Sequence, residues 1–203
     1  MSPRPYRLGQ RQEANESTRA RIVGAARELL SSPEGLGEFT VEAVARQAGV
    51  ARMTVYYQFG SRAGLLEAIF DDLAARGGMR ELPRAFAKPD ALAALAEFIA
   101  VFNRFWASER VVIRRLQVLT ALDPELERAS REEWRRQGLR VLIERAAEQR
   151  GWTEADSIDE AVDVLHMLTS FQTFDQLAGS RRRAEEVGAI VQLLALAALD
   201  RAT

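Results

Sequence analysis

FTVEAVARQAGVARMTVYYQFGSRAGLLEAIF, residues 39–70, holds two short apolar-periodic segments separated by Ala48-Gly49-Val50, and a third opened by Gly60-Ser61. In the first, Val41, Val44, Ala45 and Ala48 fall at i, i+3, i+4 and i+7 and so share one face of a helix. Thr40 is placed to cap it, and Glu42 lies in the first turn, where the helix dipole favours an anion. In the second, Val55 and Phe59 form the inward pair, so Arg52, Met53, Thr54, Tyr56 and Tyr57 point away from the core. Gly49 between the segments supplies the left-handed conformation a sharp turn needs. The pair has the form of a helix-turn-helix.

The same periodicity continues on both sides. Ile22, Ala26, Leu29 and Leu30, after the candidate caps Ser17 and Thr18, predict a helix over 18–31. Leu65, Leu66, Ile69, Phe70 and Leu73 predict one that Gly77 and Gly78 end, followed by a proline-containing linker to Pro89. Further helices are expected at 89–107, 109–121, 124–150, 155–178 and 181–201. No alternating run is long enough to make a strand, so the chain reads as all-α. It divides into an N-terminal arm (1–16), a three-helix helix-turn-helix domain (17–62) and a larger helical domain (63–203).

With 203 residues, 47% of them hydrophobic, the chain can bury a sizeable core. It has no cysteine, which excludes disulfide frameworks and thiolate nucleophiles and fits a reducing compartment such as the cytoplasm. The N-terminus has no apolar stretch of the signal-peptide kind, and no uncharged run reaches the roughly 20 residues of a membrane span. Phosphate-cradling and dinucleotide-binding glycine motifs are absent, as is a nucleophile elbow, so no enzyme, cofactor or metal is expected. Net charge is −1, but residues 1–62 carry nine arginines against six glutamates, and the rest carries 19 basic against 23 acidic groups. A basic N-terminal segment on an acidic chain suggests a local nucleic-acid footprint.

The outward groups of the second segment suit that footprint. Arginine can donate two bonds to guanine, threonine offers a hydroxyl and a methyl to base edges, and tyrosine hydroxyls donate to phosphate oxygens. The ordered pattern Thr-apolar-Glu, Ala-Gly-Val, Thr-apolar-Tyr, Phe, Ser-Arg and Leu-Leu resembles the DNA-binding domain of the tetracycline-repressor (TetR/AcrR) family over about residues 18–73. The resemblance implies that Thr40 contacts phosphate, that Arg52 and Thr54 lie over base edges, that Tyr56 contacts phosphate, and that Arg62 is the basic residue opening the next helix. It also implies a repressor of double-stranded DNA that answers to a small-molecule effector. Ala51 departs from the family's usual Ser or Thr cap, a loss of about 1 kcal/mol of helix stability and of one phosphate ligand. A helical adaptor or ligand-binding protein without operator binding is the alternative, and the residue types at 52–57 weigh against it. Arg4, Arg7 and Arg11 either reach a minor groove or belong to a tail of little specificity.

In the larger domain Phe98, Phe102, Phe105 and Trp106 share one helix face. Such a face either packs the core or, as the resemblance implies, lines an effector cavity together with Leu119, Trp134, His166 and Phe171. His166 is the only histidine, with Asp159 and Asp163 at i−7 and i−3; one histidine without cysteine is a poor metal site, and a polar anchor for ligand or a satisfied core residue both fit better. Glu127 to Arg131 and Glu132 to Arg136 have the i, i+4 spacing of a solvated face. Arg181, Arg182 and Arg183 are expected to begin the last helix, against its dipole.

VGAIVQLLALAAL, residues 187–199, has Gln192 as its only polar side chain. A terminal helix apolar on every side needs a cover on its outer face, and 13 residues are too few to span a bilayer. A second copy of the chain is the expected cover. The predicted interface joins Ile190, Leu194 and Leu196 to Val162, Leu165 and Phe174 of the preceding helix, in a four-helix arrangement about a twofold axis. A homodimer would read an inverted-repeat operator as two half-sites.

Overall fold

The computed structural model describes residues 4–121, 131–151 and 155–201. Among these are twelve α-helices, one 3-10 turn (Met79–Glu81) and no strand. The chain forms two compact units, Met1–Asp72 with Val111–Glu127, and Leu73–Arg110 with Arg128–Thr203.

In the first unit α1 (Arg4–Ser31) buries Ile22, Ala26 and Leu30. It starts well before the expected caps, and its helical backbone takes in residues 4–16, read from the sequence as an arm. Thr18 caps nothing: its hydroxyl donates to the carbonyl of Ala14, one turn back, which lets it sit inside a helix. At the other end, α2 (Gly35–Glu38) occupies a stretch expected only as a break. The Arg115 guanidinium of α8 (Arg110–Ala121) closes this turn, donating to the carbonyls of Leu30 at 2.6 Å, Ser32, and Pro33 at 3.3 Å. These carbonyls follow the last helical bonds of α1, where a cation is favoured.

Next come α3 (Val41–Gln47) and α4 (Arg52–Phe59), with Gly49 at φ +63° in the turn between them. Thr40 caps α3, its side chain accepting from Ala43 N at 3.1 Å. Val55 anchors α4 in the core, whereas Phe59 is half-buried and lies under the Arg19 guanidinium, 4.4 Å from the ring centroid. Ser61 accepts from Gly64 N at 3.0 Å and opens α5 (Arg62–Arg76).

In the second unit the expected linker is partly helical, with α6 (Leu82–Ala87) carrying Pro83 in its first turn, where a missing N–H costs nothing. α7 (Ala91–Ser108), capped by Asp90, is the central helix and packs against α6, α9 (Arg131–Arg150), α11 (Phe171–Ala178) and α12 (Ala184–Arg201). It is the one described helix long and apolar enough to cross a membrane, and its face of Phe98, Ile99, Phe102 and Trp106 is buried in this unit. The chain comes close to that face at Gly77, where an added Cβ would stand 2.5 Å from the Phe105 ring.

The helix predicted over 155–178 is two, α10 (Ala155–Leu168) and α11, broken at Thr169-Ser170. Three side chains take up carbonyls freed by the break. Arg135 donates to His166 O and to Thr169 Oγ1, Trp106 Nε1 donates to Thr169 O at 3.0 Å, and Thr173 Oγ1 donates to Met167 O at 2.7 Å. Ser170 then recaps the chain on Thr173 N. The apolar spacing runs on across the break, so periodicity conceals it.

Two further expectations change. Arg181–Arg183 precede α12 instead of beginning it; Arg182 donates to Leu177 O at the end of α11, and Arg183 N to the Glu186 carboxylate at 2.8 Å. Glu132 pairs with Arg135 and His166, not with Arg136, because Asp163 of α10 takes Arg136. Residues 124–130 of the helix predicted to start at 124, and the Glu127 to Arg131 pair, lie outside the described residues, as do the side chains of Arg4, Arg7 and Arg11.

Candidate nucleic-acid interface

α4 is short, and one buried residue, Val55, fixes which way its other side chains point. Met53 is 72% exposed and Tyr57 83%, values that make no sense for core residues on an eight-residue helix. Arg52 is exposed, Thr54 and Tyr56 half-exposed. Ala51 at the N-cap position makes no side-chain bond, as the sequence predicts, and the Thr54 amide donates instead to the Ala51 carbonyl at 2.9 Å. Thr40 is exposed at the start of α3, and Arg62 is half-buried at the start of α5. The first unit alone thus supplies all seven residues the sequence singled out for DNA contact.

Residues not singled out for contact hold α4 in place. Arg19 of α1 donates to Gln58 O at 2.8 Å at the end of α4, and the Gln58 side-chain amide donates to Asn15. An open cleft of about 650 Å³ beside α4 is lined by Gln12, Asn15, Thr18, Thr54, Tyr57 and Gln58. Only the early start of α1 puts Gln12 and Asn15 there, and sequence periodicity carried no sign of it. Arg52 is also held: its Nη1 lies 2.8 Å from Glu42 of α3, and its Nη2 donates to the Tyr56 hydroxyl at 3.2 Å. The Tyr56 hydroxyl bond, then the Glu42 charge, raise the Arg52 pKa further, so the group stays cationic.

The residues proposed for an effector site divide. Phe102, Phe105, Trp106 and Phe171 come together in the second unit, with ring centroids 4.6 Å apart for Phe105–Trp106, 5.9 Å for Phe102–Trp106 and 5.6 Å for Trp106–Phe171. Phe98 and Phe86 extend the stack. Leu119 is buried, but among the residues of the first unit. Trp134 is 84% exposed, because α9 turns Leu139, Leu142 and Ile143 inward and that face excludes position 134. His166 is half-buried, with Nε2 3.2 Å from Glu132 O and 3.3 Å from its carboxylate. Asp159 and Asp163 are engaged by Arg140 and Arg136, so they do not converge on His166.

Burial, then the charge of Arg135, hold the His166 pKa below its ordinary 6.5 despite Glu132. A histidine that resists protonation when folded but takes a proton when unfolded contributes stability that is lost as pH falls below 6.5 toward the depressed folded value. Urea denaturation at pH 7.5 and 5.5 is expected to show a smaller loss for His166→Gln than for the wild type. Equal losses would place the titration elsewhere.

Among the outward apolar residues, Leu193 is 68% exposed, and Leu194 and Leu196 are also exposed, while Val187, Val191, Ala195 and Leu199 face inward. Ile190 is half-buried. Val162, Leu165 and Phe174 are fully buried in their own unit and are not an outer face. The packing of α10 against α9 and α12, and of α11 against α7 and α12, consumes them. Of the six interface residues expected from the sequence, three remain available, all on α12.

Residues 22–69 match the family model of bacterial regulatory proteins, tetR family. No curated protein matches the chain. Solved structures share the fold over most of the chain. A TetR family transcriptional regulator, PfmR from Thermus thermophilus, is 23% identical with a TM-score of 0.65, covering 87% of this chain and 97% of its own. NalD of Pseudomonas aeruginosa, the secondary repressor of the MexAB-OprM multidrug efflux pump, is 20% identical with a TM-score of 0.66, covering 91% and 96%. A TetR-like regulator from a Rhodococcus species is 18% identical with a TM-score of 0.63, covering 90% and 96%.

Proposed function

We propose that this chain, whose residues 22–69 match the tetR-family model and whose fold is shared with solved TetR-family regulators, is itself such a regulator, repressing transcription from an inverted-repeat operator as a homodimer and released by a small-molecule effector. The observation that carries the reading is the outer face of α4, where Arg52, Met53, Thr54 and Tyr57 are offered to solvent by a helix that a single valine anchors. An eight-residue helix with this face suits a major groove. The effector would enter the aromatic stack around Trp106, where the rings offer apolar contact and the Arg135, Thr169 and His166 cluster offers polar anchors. Arg110 clamps the end of α11 by donating to Asp175 O and Gly179 O, and Arg115 of the same helix clamps the end of α1. In this reading the effector shifts populations between two states of different operator affinity.

Selection of genomic fragments by the purified protein, followed by titration of the selected duplex, tests this. Arg52→Ala is expected to lose roughly 5- to 150-fold on the selected duplex and to relax its sequence preference, whereas Tyr56→Phe should weaken all duplexes alike. Equal losses on selected and random DNA for Arg52→Ala would remove its base-reading role. A cognate effector should shift tryptophan fluorescence, raise the melting temperature and lower operator affinity together. A tight ligand that left DNA affinity unchanged would overturn the switch.

A further inference from the structure

Glu42 contacts Arg52 across the turn of the helix-turn-helix, from the first turn of α3 to the first turn of α4. Both side chains are more than half exposed, so the pair adds little to folding and its geometry needs another reason. On the opposite side, the Tyr56 hydroxyl accepts from the second terminal nitrogen of the same guanidinium. The one arginine at the start of the recognition helix is therefore neutralised by a carboxylate and fixed in orientation by a phenol before any DNA arrives.

We infer that Glu42 is a positioning residue that acts as a charge gate on Arg52, withholding the guanidinium from phosphates and yielding it to a paired base-edge acceptor. The inference rests on the DNA-binding reading above. A bare arginine on a recognition helix is drawn to any phosphate and adds to non-specific affinity. With Glu42 in contact, a phosphate must compete with a carboxylate of the same charge and similar oxygen geometry, and the exchange returns almost nothing. A guanine edge presents N7 and O6 in fixed register and carries no charge, so it can engage the fork while the carboxylate stays close. The cost therefore falls on random DNA, and discrimination gains.

The test is a double-mutant cycle of Glu42→Gln and Arg52→Ala, measured by fluorescence anisotropy on the duplex selected with wild-type protein and on a random-sequence duplex of equal length, over a range of salt. Glu42→Gln is expected to tighten random DNA severalfold, leave the selected duplex nearly unchanged, and steepen the salt dependence on random DNA by about 0.9 in log–log slope, one phosphate contact's worth. In the Arg52→Ala background the same substitution should do little, which identifies coupling between the two side chains. An equal gain from Glu42→Gln with and without Arg52 would overturn the gate, since Glu42 would then merely repel DNA. Equal tightening of both duplexes would overturn it as well. Wild-type protein that bound neither duplex would instead remove the DNA-binding reading on which the gate depends.

Discussion

Phe98→Ala is expected to cost about 3–5 kcal/mol of stability, the range for deleting a large buried aromatic from a core that cannot fully collapse. Phe98 is only 1% exposed at the centre of α7, with Phe102 at 4.7 Å and Phe86 edge-on at 6.2 Å. Ring pairs of this kind add about 0.5–1.5 kcal/mol beyond the area they bury. Collapse around the gap is opposed from α9, where the backbone at Gly138 already comes close: an added Cβ would stand 3.1 Å from the Phe98 ring and 3.3 Å from Phe86. Against a typical total of about 5–15 kcal/mol, such a loss leaves a marginal fold. Urea denaturation followed by circular dichroism measures it, with Phe98→Leu expected to recover most of the loss. A cost below about 1 kcal/mol would show that the stack is loosely packed around position 98, and would favour an open effector cavity there over a filled core.

The sequence was most legible where one physical signal fixed one feature. Thr40, Gly49 and Ser61 each announce a helix boundary by their own chemistry, and the structure has a boundary at each. The outer face of α4 was legible because a helix with a single strong apolar anchor leaves little choice of direction. Features that depend on partners distant in sequence were hidden. The break at Thr169 is held by Arg135 and Trp106, 34 and 63 residues away, and nothing in the local pattern of 155–178 reports them. Arg115 closes the turn after α1 from 85 residues on, so the sequence there reads only as proline and glycine. Glu42 reads from sequence as a helix-dipole residue, which it also is, and only geometry adds its contact with Arg52. The aromatic run at 98–106 fixed a shared face, but whether such a face packs on itself or on a ligand is not a property of spacing. Trp134 shows the opposite error, since an apolar residue type says nothing about which side of an amphipathic helix carries it.

Leu194→Arg is expected to abolish dimerisation and to lower operator affinity at least about a hundredfold, the loss of one of two half-sites bound by a linked pair. The argument starts from the division of α12 into two apolar faces. Val187, Val191, Ala195 and Leu199, at i, i+4, i+8 and i+12, are buried against the chain's own helices. Leu193, Leu194 and Leu196 point the other way and are exposed in a single copy, as is Ala197 between them. A contiguous apolar face on a helix is uncommon on a monomer's surface and is the ground for expecting an interface here. The sequence pattern places Val162, Leu165 and Phe174 at the same seam, but those side chains already fill their own unit, so disrupting them would unfold the chain and say nothing about association. An arginine at 194 instead meets solvent in the monomer, costs it little, and places two like charges across a twofold axis in the dimer. The variant should therefore run as a folded monomer in sedimentation equilibrium and still bind a half-site duplex weakly, with the same affinity as wild-type protein on that half-site. Wild-type protein that sedimented as a monomer at micromolar concentration, or Leu194→Arg protein that retained full affinity for the inverted repeat, would rule α12 out as the seam.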